Sequence, residues 1–253
     1  MMTEHQFLSK FTTKIEYIKA KTTITNSFTV LYTHGLYSDP WGRKPDTVKN
    51  WCVNNGYSFF RYELIGHGSD IANYENVDIN TWKSQILEII DAVIEGDIVV
   101  VGSSLGGWLS LLAAEARPER VKAVLGLAAA PDFTIDLEEK YLTKEQNETI
   151  QTQGRLEFVN EDFTYIFTKR LMDSGRENCM LNREINITCP VQLIQGQKDA
   201  SLDWRKSLQI SQSISGNNVI INLLKHSNHR LGSDDDLQVI IRALDTLSQQ
   251  VTK

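Results

Sequence analysis

Short apolar runs alternate along the chain with longer stretches in which apolar residues recur every three or four positions. The first run, residues 28–32, holds Phe28, Val30, Leu31 and Tyr32 and ends at Thr33-His34-Gly35. Pro45 can open a helix through Val48, Trp51 and Cys52, with Gly56 as its stop. Residues 58–62 read as the next strand. Beyond a polar loop, Trp82, Ile86, Ile89, Ile90 and Val93 keep helical spacing, and Gly96 closes the stretch. Residues 98–101 (Ile-Val-Val-Val) are all β-branched, as expected of a parallel strand buried on both faces. A Gly/Ser turn and a helix through Leu109, Leu112 and Ala113 follow. Residues 121–127, 191–195 and 219–224 read as further strands. Leu237, Ile240, Ile241, Leu244 and Leu247 stripe a last helix, whose positive N-terminus suits Ser233 and the acids Asp234 to Asp236. Strands separated by helices predict an α/β class with a mostly parallel, doubly wound sheet.

Residues 132–184 interrupt this alternation, because no buried-strand run is visible there. Thr143-Lys-Glu-Gln146 has capping-box spacing and Gly154 suits a helix stop. Phe163, Ile166, Phe167 and Leu171 form a second amphipathic stripe before Gly175. The segment is expected to be a small helical lid over the carboxyl edge of the sheet, within one domain spanning 1–253. Phe163 and Phe167 are the candidates for an apolar substrate wall, and packing of the lid onto the core is the alternative use of the same stripe.

Composition narrows the classes. The 253 residues carry a formal charge of −6 with no basic stripe, which argues against a nucleic-acid partner. No apolar run approaches the ~20 residues of a membrane helix. The start, Met1-Met-Thr-Glu-His5, reads as neither a signal nor a transit peptide, giving the expectation of a cytoplasmic protein. Cys52, Cys179 and Cys189 have neither metal-site nor CxxC spacing and read as free thiols, so neither a metal nor a cofactor is expected.

Gly102-Ser103-Ser104-Leu105-Gly106 matches G-x-S-x-G. Placed directly after the 98–101 strand and before a helix, it is the nucleophile elbow, which exposes a serine oxygen at the sheet edge. Ser104 is the candidate nucleophile, since Val101 and Leu105 would fill the small positions around Ser103. A serine hydroxyl needs a base, and the base an orienting acid, in the chain order Ser, Asp/Glu, His. Asp199 follows the 191–195 strand in Gly196-Gln-Lys-Asp199, and Asp132 is the other credible acid. Of the histidines, His229 lies farther out of the last strand than His226 and can reach the sheet edge. His226 is expected to pack at the strand end, His34 to be structural, and His67 to sit in a turn. The N–H groups of Leu105 and Leu36 are the candidate donors to an anionic tetrahedral oxygen.

The segments Val101-Gly-Ser-Ser-Leu-Gly-Gly-Trp-Leu109, Ala116-Arg-Pro-Glu119, Cys189-Pro190 and His226-Ser-Asn-His-Arg230 resemble those of the α/β-hydrolases. Within that superfamily they resemble a group of palmitoyl-protein thioesterases and acyl-glucuronide esterases with bacterial relatives. The resemblance runs from about Thr29 to the C-terminus. It implies an α/β-hydrolase fold and a serine hydrolase cleaving an acyl ester or thioester, acylated proteins included, with the family's serine, aspartate and histidine falling on Ser104, Asp199 and His229. The same triad can also serve carbon–carbon bond hydrolysis, because a fold does not fix a substrate. A non-catalytic binding protein on this fold would lack a triad member.

Overall fold

In the computed structural model, which describes residues 13–20, 27–160 and 163–251, the strands order themselves by how completely they are buried. Strands β2 (Phe28–Thr33), β4 (Asp97–Ser103), β5 (Val121–Leu127) and β8 (Val191–Gly196) are buried on both faces and occupy the centre of a seven-stranded sheet. Its order is β1-β3-β2-β4-β5-β8-β9, with β3 (Ser58–Tyr62) and β9 (Val219–Leu224) toward the flanks. All neighbours are parallel except β1 (Ile15–Ile18), which pairs antiparallel with β3 at the edge.

Alternation along β4 divides the core in two. Ile98 and Val100 face one cluster, together with helices α2 (Ile79–Glu88) and α3 (Leu105–Ala116). Val99 and Val101 face the other, against α1 (Arg43–Asn55) and α8 (Asp234–Val251). These four side chains are at most 1% exposed, and each contributes roughly 1.5–3 kcal/mol by burial. Gly56 stops α1 in the left-handed region at φ 76, its N–H reaching Cys52 O and Val53 O. The chain leaves β2 toward β3 on one side and reaches β4 on the other. The carboxyl ends of β2 and β4 therefore border the crevice where a doubly wound sheet places its ligands.

Residues 132–184 are only partly helical. They comprise α4 (Phe133–Asp136), a wide helical turn (Leu137–Tyr141), α5 (Lys144–Gln153), strands β6 (Arg155–Asn160) and β7 (Phe163–Thr168), and α6 (Lys169–Glu177). The capping box of Thr143 and Gln146 is formed as its spacing predicts. The amphipathic stripe is not one helix, which corrects that expectation. Phe163, Ile166 and Phe167 lie on β7, which pairs antiparallel with β6, and only Leu171 is on α6. The β-branched and aromatic content of Phe163-Thr-Tyr-Ile-Phe-Thr168 favours a strand, and that preference overrides the helical spacing. Phe167 is 4% exposed and its ring lies 6.1 Å from Tyr165 and 6.0 Å from Phe158, so it packs the hairpin onto the core. The side chain of Phe163 falls outside the described residues. Helices α7 (Lys206–Ser213) and α8 (Asp234–Val251) complete the flanks.

Candidate functional site

The turn between β4 and α3 consists of a single residue. Ser104 sits at φ 54, ψ −117, a backbone region that non-glycine residues seldom occupy. It is pinned by its own backbone. The Ser104 N–H donates to Leu127 O at 2.9 Å, and Ser104 O accepts from Gly107 N at 2.9 Å and Ala130 N at 3.1 Å. The flanking glycines are required by contact. A Cβ on Gly102 would lie 2.1 Å from Gly106 O, and one on Gly106 would lie 2.1 Å from Thr33 O. The spacing that marks the motif in the sequence is thus a record of this crowding.

His229, in the loop after β9, faces the serine. Its Nε2 is 3.1 Å from Ser104 Oγ, and its Nδ1 is 2.7 Å from Asp199 Oδ2. Because an ionised carboxylate only accepts, Nδ1 carries the proton and Nε2 is left to accept from the serine hydroxyl. Asp199 is fully shielded, and its Oδ2 also accepts from Gln195 Nε2 at 2.8 Å while Oδ1 accepts from Ser201 N and Leu202 N, each at 2.9 Å. Burial pushes its pKa up, but the bonds from His229, Gln195 and the Ser201 N–H outweigh burial and hold it below the usual carboxylate value. The loops carrying the two residues touch at Gly196, where a Cβ would lie 2.2 Å from Ser227 O, and Lys198 N–H donates to Ser227 O at 3.0 Å.

Asp132 is engaged elsewhere. Its carboxylate accepts from Met180 N–H at 2.9 Å and Leu181 N–H at 2.8 Å, fastening the end of the 132–184 segment. His226 is exposed rather than packed at the strand end, because β9 is a flank strand with little protein beyond it. His34 is structural, as expected, with Nε2 accepting from Leu64 N–H at 2.9 Å and Nδ1 donating to Gly35 O at 2.8 Å. Burial, reinforced by nearby His67, lowers its pKa to about 3. His67, at the start of a 3₁₀ turn, is also buried and lowered to about 4.

The loop after β2 runs against the nucleophile. A Cβ on Gly35 would lie 3.2 Å from Ser104 Cβ and 3.3 Å from Ser103 O. Among the described residues, the N–H groups of Leu36 and Leu105 donate to no protein acceptor. Two groups the motifs did not reveal also bear on the site. Lys44 Nζ donates to Ser103 Oγ at 2.8 Å and Arg230 O at 2.9 Å, bridging the residue before the serine to the residue after the histidine. Burial lowers its pKa to about 8, partly offset by Asp236. Tyr37 joins the same loop to β7 through its hydroxyl. Chemically, the arrangement can move the Ser104 proton to His229 Nε2, so that Oγ attacks an electrophilic carbon. A negative oxygen formed there would need fixed N–H donors, and the candidates are the unengaged groups of Leu105, next after the serine, and Leu36, next after Gly35.

Comparison with known proteins gives the family. Residues 29–166 match the family described as alpha/beta hydrolase fold. A palmitoyl-protein thioesterase of Rattus norvegicus, ABHD10, mitochondrial, is 32% identical over 226 residues, covering 88% of this chain and 76% of that protein. The solved structure of alpha/beta hydrolase domain-containing protein 10 from mouse superposes with a TM-score of 0.86 at 30% identity, covering 99% of this chain and 100% of that one. A putative hydrolase from Agrobacterium vitis S4 gives a TM-score of 0.86 at 25% identity over 93% of this chain and 92% of that one. The rat, mouse and orangutan relatives are designated mitochondrial, which overturns the cytoplasmic expectation; the polarity of a few leading residues was too slight a basis for a compartment. Among the described residues no helix is long and apolar enough to cross a membrane. On the match over residues 29–166 and the identity over most of its length, the chain belongs to the alpha/beta-hydrolase family and is a hydrolase.

Proposed function

We propose that this protein is a serine hydrolase that cleaves acyl esters or thioesters through an acyl-enzyme on Ser104. The observation that carries the reading is the unbroken hydrogen-bonded series from Ser104 Oγ through His229 to Asp199. Ser104 Oγ attacks the acyl carbon as its proton passes to His229 Nε2, and Asp199 stabilises the imidazolium. The Leu105 and Leu36 N–H groups receive the tetrahedral oxyanion. His229 returns the proton to the departing alcohol or thiol. Water, with His229 again as base, then releases the acid and restores the serine. The 132–184 segment serves as a lid on this site. That relatives are named palmitoyl-protein thioesterases supports a long acyl group carried on a protein as the substrate class of this chain.

The test is a series of p-nitrophenyl esters and matching thioesters from acetyl to palmitoyl. Both classes are expected to turn over, and Ser104→Ala to lower kcat by on the order of 10⁶. A wild-type protein inert on both classes, or a Ser104→Ala variant that retains turnover, contradicts the proposal. In the same series Phe167→Ala separates wall from core. Its burial predicts a loss of about 3–5 kcal/mol of stability with the chain-length profile kept. A selective loss on long chains would instead assign Phe167 to the acyl site.

A further inference from the structure

Tyr37 stands immediately after Leu36 in the loop that faces the nucleophile, and its backbone is held in the left-handed region at φ 51. Residues 35–38 form a tight turn closed by a hydrogen bond from Ser38 N–H to Gly35 O at 3.2 Å. One end of that turn lies against Ser104, through Gly35. The other end is tied to a remote part of the chain. The Tyr37 hydroxyl accepts from Ile166 N–H at 2.9 Å and donates to Ile166 C=O at 3.4 Å.

Ile166 lies on β7, opposite Glu157 of β6. In an antiparallel strand the N–H and C=O of one residue point to the same side, and the hydroxyl meets those of Ile166 on the side away from β6. Among the described residues, no third strand pairs with that edge. A tyrosine hydroxyl, which can donate and accept at once, therefore takes the place of a neighbouring strand at this residue. The Tyr37 ring is fixed as well. It packs on Tyr74 with centroids 4.4 Å apart and meets Tyr165 edge-on at 5.4 Å.

We propose that Tyr37 is the positioning residue of the oxyanion site. Its two bonds to Ile166 hold the 35–38 turn, and with it the Leu36 N–H, against Ser104, which makes the β6–β7 hairpin part of the reacting apparatus as well as a cover. The inference rests on the reading of Ser104 as nucleophile and Leu36 N–H as oxyanion donor. It goes further in assigning the donor's placement to a residue outside the triad and to a hairpin far along the chain. An acyl group that displaces β7 would be felt at the oxyanion site through this link.

Tyr37→Phe keeps the ring and removes the hydroxyl, and with it both bonds to Ile166 and the contact with the Tyr74 hydroxyl. Misplacing a donor by a fraction of an ångström to 1 Å is expected to lower kcat on a short acyl ester by on the order of tenfold to a hundredfold, with KM unchanged. A trifluoromethyl ketone reports the oxyanion directly. Ser104 Oγ adds to its carbonyl carbon, the hydroxyl proton passes to His229, and the former carbonyl oxygen becomes the anion. Its affinity should fall by the same factor as kcat. Ile166→Pro attacks the link from the other side. It deletes an N–H that points away from the β6 ladder, where proline is tolerated, and should give the same split. Urea unfolding midpoints establish that both variants are folded. Wild-type kcat in folded Tyr37→Phe, or a rise in KM with the ketone affinity falling no further than substrate binding, overturns the inference. Failure of the underlying reading looks different: the wild-type protein would then not form the ketone adduct on Ser104 at all.

Discussion

Asp199 and Asp132 both follow strands of the central sheet, and what separates them is the group that each carboxylate meets. Asp199 holds His229 Nδ1 at 2.7 Å, whereas Asp132 accepts two backbone N–H groups of the segment after α6. Asp199→Asn is expected to lower kcat on the order of 10⁴ by favouring the wrong imidazole tautomer. Asp132→Asn should leave kcat nearly unchanged and lower the unfolding midpoint. The reverse ranking in steady-state kinetics would move the orienting acid to Asp132. The residue scale was also where the sequence was most legible. Gly102 and Gly106 are dictated by backbone contacts close to 2 Å, so their spacing survives as a local pattern. His229 could be preferred over His226 because distance from the strand end decides what reaches the sheet edge. Lys44 and Tyr37 left no such mark. Their partners lie 59 and 129 residues away, and nothing local encodes a contact between them.

At the scale of elements, legibility followed burial. The strands 58–62 and 121–127 were readable to the residue, since a parallel strand covered on both faces gives a compact apolar run, and 219–224, an edge strand, was readable from its β-branched and leucine content alone. Strand β1 escaped notice, because Ile15-Glu-Tyr-Ile18 is short, lies at an edge and contains a charge. The hairpin β6–β7 was mistaken for helix for a specific reason. Phe163, Ile166, Phe167 and Leu171 fall at i, i+3, i+4 and i+8, which a helix would place on one face. That spacing here joins two elements, with β7 ending at Thr168 and α6 beginning at Lys169. Thr168 caps the new helix by accepting from Leu171 N–H at 3.1 Å, a start signal hidden inside the apparent stripe. The order of strands in the sheet is fixed by long-range pairing and could not be read from spacing.

For the whole molecule, the loop that faces Ser104 is anchored by neutral histidines in the interior. His34 and His67 are buried with their rings 5.1 Å apart, and their pKa values are lowered to about 3 and about 4 from the ordinary ~6.5. Between pH 6.5 and those values the unfolded chain binds protons that the folded chain does not, so stability falls as the pH falls. From pH 7 to pH 5 each ring should remove about 2 kcal/mol. Protonating His34 would also set a new N–H against the Leu64 N–H it now accepts from. Urea unfolding midpoints are therefore expected to drop steadily over that range, and a flat profile would contradict the neutral assignment. The two core layers, the switch point between β2 and β4 and the loops after β8 and β9 together bring Ser104, Asp199 and His229 to one place at the sheet edge. The most direct measurement is peptide mass spectrometry after treatment with a fluorophosphonate. The account predicts one adduct, on Ser104, lost in Ser104→Ala and strongly slowed in His229→Ala. An adduct on Ser103 or another residue, or none on a protein that still hydrolyses acyl esters, would contradict it.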